Sequence, residues 1–210
     1  MMLKLRNRAV QQVLGHSPKC LADILRDDVN LAVWQRQLPA HVEDFATLVL
    51  GLQQPLGDER VVEVAEHEAP SLPGLLKGAI DVQGYDSFVA DVEWLVAAYA
   101  CLLGARRVGL RVRVLESAMC PRFHVDHVPL RLLSTYAGAG SEWLAEGAVD
   151  RSDLPRAMTS VDNIKRLCTG DVAILKGEQF EGNEGHGIIH RSPQTPAGER
   201  RLLLSLDWLA

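Results

Sequence analysis

The segment Cys120-Pro121-Arg122-Phe123-His124-Val125-Asp126-His127 gathers a thiol, two imidazoles and a carboxylate into eight residues. His124 and Asp126 are two apart, so in an extended chain both side chains leave the same face. An imidazole and a carboxylate projecting together supply two corners of a facial metal triad. A second imidazole from another strand completes it and leaves positions open for a substrate or oxygen. His190 is the candidate for that corner. A carboxylate buried there without a partner is costly, and a divalent ion removes the cost while using all three side chains.

A second group lies on the final stretch of chain. In a strand, Arg201, Leu203, Ser205 and Asp207 share one face, and Leu202, Leu204, Leu206 and Trp208 share the other. An arginine on the first face clamps a carboxylate through two parallel hydrogen bonds, with a serine further along as helper. Other chemistry-bearing residues take plainer readings. His127 reads as a neighbour of the triad, and the glycines around His186 argue against a helix carrying His186 and His190 as zinc ligands. Cys120 reads as a buried free cysteine. The arginines Arg106, Arg107, Arg111, Arg113, Arg122 and Arg131 read as a solvated strand face, with attraction of an acidic substrate second.

These residues must be positioned by the elements around them. Ser17-Pro18 starts a helical turn with Leu21, Ile24 and Leu25, after a polar arm or short helix over residues 1–20. Val29–Trp34 reads as a strand, Pro39 opens a helix that stops at Gly51, and 59–64 is a further strand. Phe88, Val92, Leu95, Val96, Tyr99 and Leu102 recur at helical spacing, with Gly104 as cap. The period then becomes two: Val108, Leu110, Val112 and Val114 alternate with Arg107, Gly109, Arg111 and Arg113. Residues 130–136, 142–144, 172–175 and 201–208 read as strands, and 146–168 shows little β pattern. Short strands separated by turns indicate a jelly-roll sandwich or barrel over 105–210. The expected fold is therefore α+β, a double-stranded β-helix barrel (105–210) carrying an N-terminal helical or mixed region (1–104), the two forming one globular unit.

Bulk properties narrow the classes. The chain has 210 residues and a net charge of -5, without the basic balance nucleic acid calls for. The four cysteines are scattered with no Cys-x-x-Cys pair, which argues against a zinc cluster or a disulfide scaffold. Lys4, Arg6, Arg8, Gln11 and Gln12 interrupt any signal-like run, and no stretch reaches membrane-spanning length. The expectation is a cytoplasmic protein with no membrane or nucleic-acid partner, acting on a small-molecule or protein substrate that the sequence does not name.

With His124-x-Asp126 at the start of a barrel, His190 late in it and a basic residue on the last strand, the C-terminal half resembles the Fe(II)/2-oxoglutarate dioxygenase superfamily. The wording of the motifs is similar to a narrower group, the bacterial DUF1826 family. The stretches that carry this are Cys120-Pro121-Arg122-Phe123-His124-Val125-Asp126, Arg131-Leu132-Leu133-Ser134-Thr135-Tyr136, Gly170-Asp171-Val172-Ala173-Ile174-Leu175-Lys176-Gly177 and His190-Arg191-Ser192-Pro193. The narrower resemblance implies no activity. The wider one implies Fe(II) on His124, Asp126 and His190, with 2-oxoglutarate as cosubstrate held by Arg201 or Arg200 and Ser205. It adds Tyr136 as a further cosubstrate contact and makes Lys176 and Trp143 pocket candidates. One departure stands out: many superfamily members have Arg-x-Ser on the last strand, and Leu203 occupies that arginine's place. Arg201 is the nearest substitute on the same face, and Arg200 takes the role in the other register.

The oxygenase reading implies iron-dependent hydroxylation of an unknown substrate. The alternative is a non-catalytic zinc protein of metal homeostasis using the same triad. A metallohydrolase ranks below both, because Arg122 stands where its His-x-His-x-Asp-His motif needs a histidine. A plain interaction module is the remaining class.

Overall fold

The computed structural model describes residues 9–52, 54–66, 68–156, 160–194, 196 and 198–209. Lys4, Arg6 and Arg8 lie outside the described residues. The first strand is β1 (Gln11–Gly15), followed by a 3-10 turn over Pro18–Leu25 that buries Leu21 and Ile24. Then come β2 (Val29–Trp34), helix α1 (Ala40–Gly51), β3 (Gly57–Glu63) and helix α2 (Tyr85–Leu103). The second half adds β4 (Arg107–Leu115), β5 (Leu130–Ala137), β6 (Glu142–Leu144), β7 (Ile164–Arg166), β8 (Val172–Lys176), β9 (His190–Arg191) and β10 (Arg201–Leu209).

Seven strands form one sheet in the order β1-β2-β8-β5-β10-β4-β3, and three form a second in the order β7-β6-β9. Only β1 and β2 pair in parallel within the large sheet. Its described edges are β1 and β3. The fold is mixed α/β with a sheet-rich core. The expectation of a separate helical or mixed N-terminal region is corrected here: the expected strands β2 and β3, and the unexpected β1, belong to the same sheet as β4, β5, β8 and β10. The polar sequence of β1 hid it, because an edge strand needs no apolar alternation when backbone hydrogen bonds to β2 hold it.

Strand alternation divides the core in two. On the outer face of the large sheet, Leu202, Leu204 and Leu206 of β10 and Val108, Leu110 and Val112 of β4 pack against both helices. Phe45 and Val49 of α1 meet them there with Phe88, Val92 and Leu95 of α2. Each such side chain removed from water contributes about 1.5–3 kcal/mol. On the inner face, Leu31, Val33, Leu133, Ala173 and Leu175 pack against Trp143 of the small sheet and Ile188. β2 is buried on both faces from Val29 to Val33, which is why 31–34 is a continuous apolar run, and the buried Asn30 amide donates to the His186 carbonyl at 2.8 Å. Helix α2 ends where Gly104 takes a left-handed φ of 61°, a conformation that glycine adopts without a Cβ penalty. Among the described residues, no helix is long and apolar enough to cross a membrane.

Candidate metal centre

The small sheet brings His124 and His190 together through their backbones. His190 pairs with Trp143 of β6 on one side. On its other side it exchanges both backbone hydrogen bonds with His124, the His124 amide donating at 3.0 Å and the His190 amide at 2.9 Å. A closely bonded antiparallel pair puts its two side chains on one face, and here the ring centroids are 4.6 Å apart. Beyond this pair the register shifts by two residues, and the Ser192 amide donates to the Cys120 carbonyl. The Arg191 guanidinium lies over the Phe123 ring at 4.2 Å, holding the approach to His124.

Asp126 completes the cluster: one donor atom from each of His124, Asp126 and His190 lies within 4.8 Å of the others. His124 Nε2 is 3.4 Å from one Asp126 oxygen and His190 Nε2 is 3.4 Å from the other. Those separations are long for N–H···O hydrogen bonds. They suit shared ligation, because atoms about 2.1 Å from one ion sit about 3.0–3.4 Å apart at octahedral to tetrahedral angles. Each imidazole also has its Nδ1 beside a backbone carbonyl two residues earlier, Arg122 O at 3.0 Å for His124 and Ile188 O at 3.2 Å for His190. An Nδ1–H donated to such a carbonyl orients the ring and leaves Nε2 for an ion, the arrangement a metal-ligating imidazole uses.

Charge around the acid is balanced in a ladder. Arg131 donates from Nη1 to Asp126 at 2.7 Å and from Nε to Asp207 at 2.6 Å, and Arg111 donates to Asp207 at 2.7 Å. Burial pushes the Asp126 carboxyl up, but the contacts with His124, His190 and Arg131 outweigh it and hold the group far below the usual carboxylate range. Asp126 in turn raises the His124 imidazole above its ordinary value, against the opposing effect of burial. The Asp126 main chain is fixed too, its carbonyl accepting from the Glu178 amide at 3.0 Å. Gly177 lies so close that a Cβ would sit 2.1 Å from the Val128 carbonyl oxygen and 2.6 Å from that of Asp126.

The imidazoles open onto a small pocket of about 100 Å³. Arg201, Leu203 and Ser205 of β10 form one wall, with Leu133 and Arg131 of β5 beside them. Arg201 is 4% exposed, and its only hydrogen bonds among the described residues are long, to the Ala139 carbonyl at 3.3 Å and Ser141 Oγ at 3.4 Å. No carboxylate among the described residues pairs with it, and burial alone pushes its guanidinium down to about 10.

The residues expected at the cosubstrate position thus separate. Arg201 and Ser205 line the pocket, while Arg200 points to the opposite side. There it donates to the Leu50, Leu52 and Gln54 carbonyls at the end of α1 and pairs with Glu116. Tyr136 is likewise corrected: the alternation that turns Arg131 and Leu133 inward turns Tyr136 outward. Its hydroxyl donates to Asp91 at 2.6 Å, within a buried group that includes Arg36. Lys176 is also outside the pocket, its ammonium donating to the Arg26 carbonyl at 2.7 Å and lying over the Phe180 ring. Trp143 packs in the inner core with Nε1 donating to Gln12. His127 and His186 are exposed. Cys120 is exposed at the pocket wall and not buried as expected, because the strand-like pairing with Ser192 lays it at the rim. Arg131 and Arg111 are not a solvated face but turn inward to meet Asp207. The signal for this was Asp207 itself, an acid on the pocket face that required cationic neighbours.

Two facing sheets of a mixed α/β protein thus carry a His-x-Asp…His cluster with the geometry to hold a metal ion and a buried cation beside it. Residues 15–207 match the family described as Protein of unknown function (DUF1826). The chain belongs to that family. No curated protein gives a significant match. Among solved structures, it is similar to a Pseudomonas putida prolyl-4-hydroxylase at 12% identity, TM-score 0.48, covering 90% of this chain and 96% of that one. It is also similar to an Arabidopsis thaliana dioxygenase for auxin oxidation in complex with 2-oxoglutarate, at 12% identity, TM-score 0.49, covering 96% and 92%. The dioxygenase for auxin oxidation of rice follows at 13% identity, TM-score 0.48, covering 96% and 83%. All three TM-scores lie below 0.5.

Proposed function

We propose that the protein is an Fe(II)- and 2-oxoglutarate-dependent oxygenase built on a jelly-roll core. The observation that carries this reading is Arg201, a buried guanidinium with no counter-ion among the described residues, in the same pocket as His124 and His190, whose Nε2 atoms both face Asp126. A buried cation is costly unless paired, and a planar fork is suited to a carboxylate. Bound at the triad, Fe(II) would supply open positions at which oxygen and a 2-oxo acid meet, coupling decarboxylation of that acid to hydroxylation of a substrate C–H bond.

The chain's own groups supply the rest. His124 and His190 present Nε2, Arg131 holds the Asp126 carboxylate in place, and Arg201 binds the far carboxylate of the cosubstrate with the Ser205 hydroxyl beside it. Leu133 and Leu203 exclude water from that end. A structural zinc calls for a fourth protein ligand, and among the described residues the triad gains none, which favours the open site of an oxygenase over the zinc alternative. The test is anaerobic reconstitution with Fe(II), followed by titration with 2-oxoglutarate and measurement of succinate in air. One ion per chain and iron-dependent succinate are expected, with 2-oxoglutarate affinity reduced at least about tenfold in Arg201→Gln, as for loss of a charge-assisted pair. Tight metal binding with no affinity for 2-oxoglutarate refutes the reading.

A further inference from the structure

The pocket wall carries more positive charge than the cosubstrate needs. Five arginines reach it, Arg111, Arg113, Arg131, Arg191 and Arg201, and none of its lining residues is acidic. The carboxylates that pair with them lie behind the wall or at its edge: Asp126 and Asp207 with Arg131, Asp207 and Glu59 with Arg111, Glu59 with Arg113, and Glu142 with Arg191. Five guanidiniums therefore face four carboxylates, and Glu142 is also bound by Arg166. A divalent ion and a doubly charged 2-oxo acid cancel one another, so the positive excess survives loading.

With Arg201 given to the cosubstrate, the arginine held most weakly lies further along the same wall. The inner-face core is built from β2, β5 and β8 against the small sheet. Towards the far edge, β10 and β4 present their inner-face residues to the pocket instead. There Arg113 stands directly across from Leu203, and Arg111 across from Ser205. Arg111 has the buried Asp207 as partner. Among the described residues Arg113 has only Glu59, a side chain 59% exposed that it shares with Arg111. An exposed pair of this kind holds its members weakly, so an incoming anion competes for Arg113 at little cost. Leu203, Leu133 and Met119 supply apolar wall next to it.

We propose that the substrate of this site is a small molecule with an anionic group, a carboxylate or a phosphate, on an apolar body, and that Arg113 is its anchor with Arg111 beside it. The inference rests on the oxygenase reading and names the substrate class for that site. The test uses the full chain loaded with Mn(II) and saturating 2-oxoglutarate, and calorimetric titration with hexanoate, hexyl phosphate and the neutral hexanamide. An anionic probe is expected to bind at least about tenfold more tightly than hexanamide, the ratio for one charge-assisted contact. The better of the two identifies the head group. Arg113→Gln brings the ratio near one without changing 2-oxoglutarate affinity, and Glu59→Gln, which removes the competitor, raises it.

Equal binding of all three probes, or a preference that neither variant alters, overturns the proposal. If the protein takes no 2-oxoglutarate, the oxygenase reading fails separately. The same probes on Mn(II)-loaded Arg201→Gln then decide the anion pocket, because the unpaired arginine is no longer there to capture the head group.

Discussion

Replacing Arg131 with methionine keeps the packing of its stem and removes the guanidinium that joins Asp126 to Asp207. Asp126 loses a 2.7 Å bond, and Asp207 loses bonds of 2.6 and 3.2 Å. The arginine side chain is 19% exposed and the two acids 13% and 8%, so little water is at hand to replace it. Removing one partner of a buried pair costs about 3–5 kcal/mol. Asp207 keeps Arg111 and Asp126 keeps both histidines, which lowers the expected loss to about 2–4 kcal/mol. For a chain of this length that is a fall in Tm of about 4–16 °C, read by thermal and urea denaturation of the metal-free protein. The double variant Arg131→Met/Asp207→Asn no longer strands a charge at 207, so its loss is less than the sum of the single losses by at least about 1 kcal/mol. A single-variant loss below about 1 kcal/mol, or strict additivity, would show that the ladder is solvated and that Arg131 does not hold Asp126.

The His124 imidazole, raised first by its contact with Asp126, gives two pH trends of opposite sign. Protons compete with the ion, so Mn(II) affinity grows as pH rises through the imidazole range. Folding of the metal-free protein favours protonated His124, so that stability is fully present below about pH 6.5 and is lost as pH rises through the raised folded value. Metal titrations and denaturation of chelator-treated protein across that range check both. Tyr136→Phe is expected to leave 2-oxoglutarate affinity unchanged while costing about 1–3 kcal/mol through the donor lost to Asp91; a weakened cosubstrate with intact stability would return Tyr136 to the pocket. Gly177→Ala drives a Cβ into the Val128 and Asp126 carbonyls, and metal affinity should fall about 10–100-fold, as for loss of a ligand's support. Equilibrium dialysis measures it, and an unchanged affinity would mean that this backbone contact does not position Asp126.

Much of this was legible in the sequence because it depends on period alone. The two-residue alternation of β4 and β10 marked their core faces, and the residue types and order of His124, Asp126 and His190 picked out three side chains that the structure brings together. Helix α2 and its Gly104 cap followed from apolar spacing and a stop signal. What period cannot supply is which strands are neighbours. Arg131 and Arg111 looked like a wet face because nothing local shows that β10 lies between β4 and β5 and carries Asp207 to both. The choice between Arg200 and Arg201 also waited on which face of β10 meets the helices. β1 was missed for a related reason: its pairing with β2 is written in backbone amides, and its side chains are mostly partly exposed or exposed.

The mutual backbone bonds of His124 and His190, and the bond from the Glu178 amide to the Asp126 carbonyl, bear on where the energy of ion capture goes. Small zinc modules spend much of it on folding, because their ligands come together only around the metal. Here the polypeptide has already fixed the three donors by its own main chain. Ion capture at the proposed centre would therefore require little main-chain rearrangement, and more of the coordination energy would be left to appear as affinity.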